Sequence, residues 1–130
     1  MFDGKSDRVT TPGVVVISGG KIEAVGSGAP IPASAEVIEL GDATLLPGFI
    51  DAHTHLTELN SSDWKQRFID ELQKPIAEMA INSTVNARKT LLAGFTMVRD
   101  LGAQSQIDVG LRNSIRRGLV PGPRDRKSVV

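Results

Sequence analysis

The pattern of apolar and polar positions changes period near Pro47. Before it, short apolar runs are broken by turn residues. In "GVVVISGGKIEAV" a β-branched run leads to Gly19-Gly20 and then to Ile22, Ala24 and Val25, which predicts a two-stranded hairpin turning at the glycine pair. "SGAPIPAS" is a proline- and glycine-rich loop. "AEVIEL" and "ATLL", separated by the Gly41-Asp42 turn, each predict a strand, the second ending near Leu46. Pro47-Gly48 interrupts the run, and a further strand is expected from Phe49 to His53.

After the histidines the spacing becomes helical. Ser61, Ser62 and Asp63 are the candidate N-caps of a helix in which Trp64, Phe68 and Leu72 share one face. Pro75 suits the first turn of a second helix, with Ile76, Ala80, Leu91 and Leu92 as its apolar face and Gly94 as its stop. "FTMVRDLG" predicts a strand with a loop after it, and Met97 is read as a core filler. A third helix from Ile107 to Arg117 places Ile107, Leu111 and Ile115 on one side and stops at Gly118, after which "LVPGPR" begins another strand. A β-rich module up to residue 47, then strands alternating with helices, predicts an α/β chain with a parallel sheet and right-handed crossovers.

Composition narrows the partners. The chain has 130 residues, enough for one modest domain, and 40% of them are apolar. Fifteen basic and fifteen acidic residues cancel, so bulk charge implies neither nucleic acid nor an anionic membrane as partner. The bases do gather late, and Arg112, Arg116 and Arg117 lie on the third helix, but no aromatic residues interleave with them; they read as a solvated face. The absence of cysteine removes disulfides, thiolate metal sites and cysteine nucleophiles. No apolar run reaches the roughly 18 residues of a membrane span, and "MFDGKSDRVTTPG" is no signal peptide. The expectation is a soluble chain, cytoplasmic by default.

Both histidines of the chain, His53 and His55, sit in "LLPGFIDAHTHL". Side chains two apart on a strand point to one face, so the imidazoles project together while Thr54 points away. They lie at the C-terminal end of a strand in a β/α pattern, the edge where such folds gather their chemistry. A same-face pair can chelate one divalent ion through two nitrogens; it can equally be two hydrogen-bonded surface histidines sharing a loop. Asp51, two residues before the pair, is read as a structural acceptor, and Arg99 and Asp100 as residues that orient loops or form an ion pair.

"LLPGFIDAHTHL" resembles the first-strand signature of the amidohydrolase superfamily, metal-dependent hydrolases built on a (β/α)8 TIM barrel. "GGKIEAVG", "AEVIEL" and "ATLLPG" are similar to the small β-sandwich that precedes the barrel in many members. "LLAGFTMVRDLG" is similar to their second strand with its preceding helix, and "LRNSIRRGLVPGPR" to the next helix and the entry to the third strand. The series, from about Phe2 to Arg124, looks closest to the branch of imidazolonepropionase-like enzymes and Xaa-Pro dipeptidases.

The resemblance implies residues 1–47 as a partial β-sandwich and residues 48–124 as the truncated start of the barrel. It implies His53 and His55 as ligands of a divalent metal, most simply Zn²⁺, and hydrolysis of a carbon–nitrogen bond in an amide, dipeptide or cyclic amide by metal-activated water. The partner implied is a small-molecule substrate, with room for a homo-oligomer of the intact enzyme. The family completes its site with a lysine or glutamate on a middle strand, two further histidines and a late aspartate. This chain offers no positions for them, because a barrel takes about 250 residues. The 130-residue chain alone is therefore expected to be inactive. Residues 125–130, "DRKSVV", depart from the family pattern and match one reading frame of a common sequencing adapter, so they are expected to be a non-native tail. The alternative reading is a short, non-catalytic interaction or scaffold protein.

Overall fold

A strand exists only where a neighbour completes its hydrogen-bond ladder, and that condition separates the two parts of this chain. The computed structural model describes residues 1–57 and 63–126, without the side chains of Arg67, Asp70 and Glu71. It divides into two compact units, Met1–Pro47 and Gly48–Val130.

In the first unit β1 (Val15–Ser18) and β2 (Lys21–Val25) form the expected antiparallel hairpin, with Val15 opposite Val25 and Ser18 opposite Lys21. Gly19 and Gly20 have φ of 56° and 74°, the left-handed pair that a tight two-residue hairpin turn requires. An isolated bridge joins Phe2 to Val9, and the Phe2 N–H donates to the Leu45 carbonyl at 2.9 Å. The strands expected at 35–40 and 43–46 do not form. Their residues suit strands, but among the described residues no ladder runs beside them, and Val37, Ile38, Leu45 and Leu46 stay exposed.

The second unit is built on three parallel strands. β3 (Phe49–Thr54), β4 (Phe95–Asp100) and β5 (Arg124–Asp125) lie side by side in sequence order. α1 (Trp64–Gln73) and α2 (Ile76–Leu92) connect the first two strands, and α3 (Ile107–Arg116) connects the second two. This is the α/β arrangement with parallel pairing that the alternation predicts. Gly48 opens β3 for a steric reason: a Cβ there would lie 2.7 Å from the Thr96 Cβ on β4. Only hydrogen lets the two backbones approach this closely.

The core lies between sheet and helices: Leu56, Ala87, Val98 and Leu111 pack together, with Ile115 and Val120 against them. α3 turns its expected face inward, with Ile107 and Leu111 buried, and closes at Gly118, whose φ is 70°. In α1, the Asp63 carboxylate caps the helix by accepting from the Lys65 and Gln66 N–H groups at 3.0 and 3.1 Å. The other candidate caps, Ser61 and Ser62, lie outside the described residues. The apolar face of Trp64, Phe68 and Leu72 forms on one side of α1 but remains exposed.

α2 corrects the sequence reading. Its buried stripe is Met79, Ser83 and Ala87, at i, i+4 and i+8, while of the expected face Ile76 and Leu92 are exposed and Ala80 and Leu91 half-buried. Small side chains at Ser83 and Ala87 let the helix approach the sheet closely, so the partner surface selected the stripe rather than side-chain hydrophobicity. Pro75 stands one residue before the helix, and Gly94, φ 95°, donates its N–H to the Leu91 carbonyl at 3.0 Å. Met97 is half-buried in β4.

The third parallel strand begins later than "LVPGPR" suggests, at Arg124, because Pro121 and Pro123 have no N–H to donate to a ladder. Pairing then continues past the expected end of the fold: Asp125 lies opposite Val98, and the Arg126 N–H donates to the Val98 carbonyl at 2.9 Å. The remainder of the expected tail, residues 127–130, lies outside the described residues.

Candidate metal centre

The loops that leave β3 and β4 meet at the C-terminal edge of the sheet, and the histidine pair stands where β3 passes into the first of them. β3 ends in Thr54, so His53 is its penultimate residue and His55 the first residue beyond it. Both imidazoles are exposed. Their ring centroids lie 5.4 Å apart with the planes inclined at 64°, an edge-on pair on one side of the strand. Thr54, between them, is half-buried and pairs with Asp100 on the other strand.

Hydrogen bonds on both sides hold this turn. The Asp51 carboxylate accepts the His53 N–H at 2.9 Å, which makes Asp51 the structural acceptor the sequence suggested. The Thr54 carbonyl accepts from the Leu101 N–H at 3.1 Å. The Leu56 N–H donates to Asp100 Oδ2 at 3.0 Å, and the Leu56 carbonyl accepts from Asn86 Nδ2 of α2 at 2.9 Å. Leu56 itself points into the core. His55 is thus flanked by two anchored residues, and its Nδ1 lies 3.2 Å from the Gly102 carbonyl.

Arg99 and Asp100 divide the work at the end of β4. Arg99 Nε donates to the Ala52 carbonyl at 2.8 Å, tying β4 to β3. Asp100 is fully buried; besides holding Leu56 it accepts the Gly102 N–H on Oδ1 at 3.0 Å, and its own N–H donates to Asp125 Oδ1 at 3.1 Å. Burial pushes the Asp125 carboxyl above its ordinary pKa, and the nearby Asp100 charge adds to this; the Asp100 N–H and Arg112 act in the opposite direction. The loop then enters α3 through Ser105 and Gln106, both left-handed at φ of 54° and 57°. Two such non-glycine residues cost about 1–2 kcal/mol each. Sequence reasoning missed Gly102 as a partner of His55, since a backbone carbonyl leaves no mark in residue type.

The chemistry of this arrangement suits a metal ion as part of a larger ligand set. A carbonyl oxygen only accepts, so His55 Nδ1 is the donor, and in the neutral form of the ring the lone pair sits on Nε2. A histidine whose second ring nitrogen donates to a backbone carbonyl is the usual form of a metal ligand. Two nitrogens are fewer than the three or four protein ligands of a complete zinc site. Among the described residues no third His, Cys, Asp or Glu joins them. Among those residues, too, no helix is long and apolar enough to cross a membrane.

The class of this parallel β/α unit is shown by comparison: residues 44–124 match the amidohydrolase family. The chain belongs to that family. Imidazolonepropionase of Idiomarina loihiensis is 39% identical to it over 95 residues, which are 68% of this chain and 23% of that protein. Dihydroorotase of Mycobacterium leprae is 48% identical over 44 residues, 34% of this chain and 10% of that one. Among solved structures, a Xaa-Pro dipeptidase with methionine bound in its active site superposes with a TM-score of 0.79 at 33% identity, covering 98% of this chain and 30% of that one. The resemblance to imidazolonepropionases and Xaa-Pro dipeptidases read from the series of motifs between Phe2 and Arg124 is borne out. The chain spans less than a third of the length of these relatives.

Proposed function

We propose that this chain is the β-sandwich start and the first β/α units of a metal-dependent amidohydrolase barrel, an enzyme that hydrolyses a carbon–nitrogen bond in a dipeptide or cyclic amide. His53 and His55 hold its divalent ion, most simply Zn²⁺. The observation that carries this reading is the same-side pair of imidazoles at the sheet's C-terminal edge, with His55 Nδ1 turned to the Gly102 carbonyl. The names of the relatives support the bond type: imidazolonepropionase and dihydroorotase among the sequences, a Xaa-Pro dipeptidase among the structures. When bound, such an ion polarises the scissile carbonyl and lowers the pKa of a water molecule.

This chain's own residues perform the holding. Asp51 fixes the backbone of His53, while Leu56 and Thr54 anchor the turn around His55 and the Gly102 carbonyl faces its ring, so the backbone under both imidazoles is set before the ion arrives. With two ligands the 130-residue chain binds Zn²⁺ weakly and turns nothing over. Calorimetric titration with Zn²⁺ tests this. The chain should take up one ion, and the double change His53→Ala with His55→Ala should remove the uptake. Equal uptake by both proteins would refute the metal role. Hydrolysis of a Xaa-Pro dipeptide by the chain alone would refute its inactivity.

A further inference from the structure

We infer that Asp100 is the positioning residue for His55: a buried carboxylate on β4 that fixes the orientation and tautomer of an imidazole on the loop after β3. Asp100 acts through the backbone on either side of the ring. Its Oδ2 accepts the N–H of Leu56, the residue after His55, at 3.0 Å. Its Oδ1 accepts the N–H of Gly102 at 3.0 Å, and the carbonyl of that same Gly102 faces His55 Nδ1 at 3.2 Å. One side chain therefore sets both the backbone that carries the imidazole and the acceptor that orients it.

The geometry depends on a carboxylate. Two N–H donors approach its two oxygens from the two loops, and an amide could accept only one of them. Gly102 has φ of 129°, a conformation that side chains rarely adopt, and the Oδ1 bond secures it. With the Gly102 carbonyl held in place, Nδ1 keeps the proton, and in the neutral ring the lone pair falls to Nε2. The purpose of that lone pair rests on the metal-binding reading above; the tautomer itself does not.

The experiment uses the full chain without metal at mildly alkaline pH, where the ring tautomers are read by NMR from nitrogen–proton correlations within the imidazoles. His55 should be the Nδ1–H tautomer. In Asp100→Asn, one N–H loses its acceptor, and His55 should become a mixture of tautomers while His53 keeps its wild-type signals. Lys89→Gln, on the exposed face of α2 and away from the site, should leave the His55 signals as they are. Zn²⁺ as the only added ligand should bind Asp100→Asn about tenfold or more weakly than wild type, the usual cost of losing an outer-sphere partner.

A wild-type His55 in the Nε2–H form overturns the inference without any variant, and so decides the matter if Asp100→Asn does not fold. An Asp100→Asn protein with unchanged His55 signals and unchanged Zn²⁺ affinity also overturns it, and leaves the metal role of the pair intact. If the tautomer shifts as expected but neither protein binds Zn²⁺, the positioning role stands and the metal reading fails.

Discussion

Ile17, Ile22, Val37 and Ile38 of the first unit are 55–75% exposed, whereas Leu56, Ala87, Val98 and Leu111 of the second are 6% exposed or less. Both units are supplied with residues that favour burial, and no described residue of 1–47 is buried. The difference is one of layers. The second unit lays helices over a parallel sheet, so one face of α2 and one of α3 close on Val98. The first unit has a two-stranded hairpin and no second layer. Isolated hairpins of this kind are marginal in water. Apolar content becomes stability only where a second surface removes it from solvent.

The largest effect that sharpens this contrast is expected at Leu111. Leu111→Ala should cost about 2–5 kcal/mol of unfolding free energy, as a cavity between α3 and the sheet does, measured by urea denaturation. A loss below about 0.5 kcal/mol would mean that the second unit is no better packed than the first.

A smaller effect concerns the polar interior, which belongs to the second unit. Burial raises the folded-state pKa of Asp125 above its ordinary value. The folded chain therefore binds this proton more tightly than the unfolded chain. Its stabilising contribution is complete below the ordinary aspartate pKa and is lost as pH rises through the raised folded value. Asp125→Asn keeps the oxygen that accepts the Asp100 N–H and removes the charge. It should be more stable than wild type at neutral pH, with the advantage shrinking to nothing in acid; denaturation midpoints at several pH values check this. An advantage that grew in acid would reverse the assignment.

The smallest effect is the control. Ile38→Ala, at a site 75% exposed, should change stability by no more than about 0.5 kcal/mol by the same denaturation. A loss of 2 kcal/mol or more would show that the first unit buries this residue after all, and the contrast would collapse.

Much of the fold was legible because local chemistry dictates it. Gly19-Gly20 specified a hairpin turn, Gly94 and Gly118 specified helix ends, and alternation of strands with helices specified parallel pairing. The His53–His55 pair was legible for the same reason, since a period of two puts both rings on one side. What was not legible depended on partners distant in sequence. The 35–40 and 43–46 segments have strand composition, yet no neighbour completes a ladder beside them. Trp64, Phe68 and Leu72 form a helical face that nothing among the described residues covers.

The sequence by itself determined the family, the element types and the two imidazoles, because turn chemistry, periodicity and residue identity are local properties. The tertiary structure decided which face of α2 is inside, how far the third parallel strand continues, and which acceptor orients His55. Each of those is a relation between groups far apart in the chain: Ala87 with Val98, Asp125 with Asp100, the Gly102 carbonyl with His55 Nδ1. Only folding brings such groups within hydrogen-bonding or packing distance, so only the folded chain fixes them.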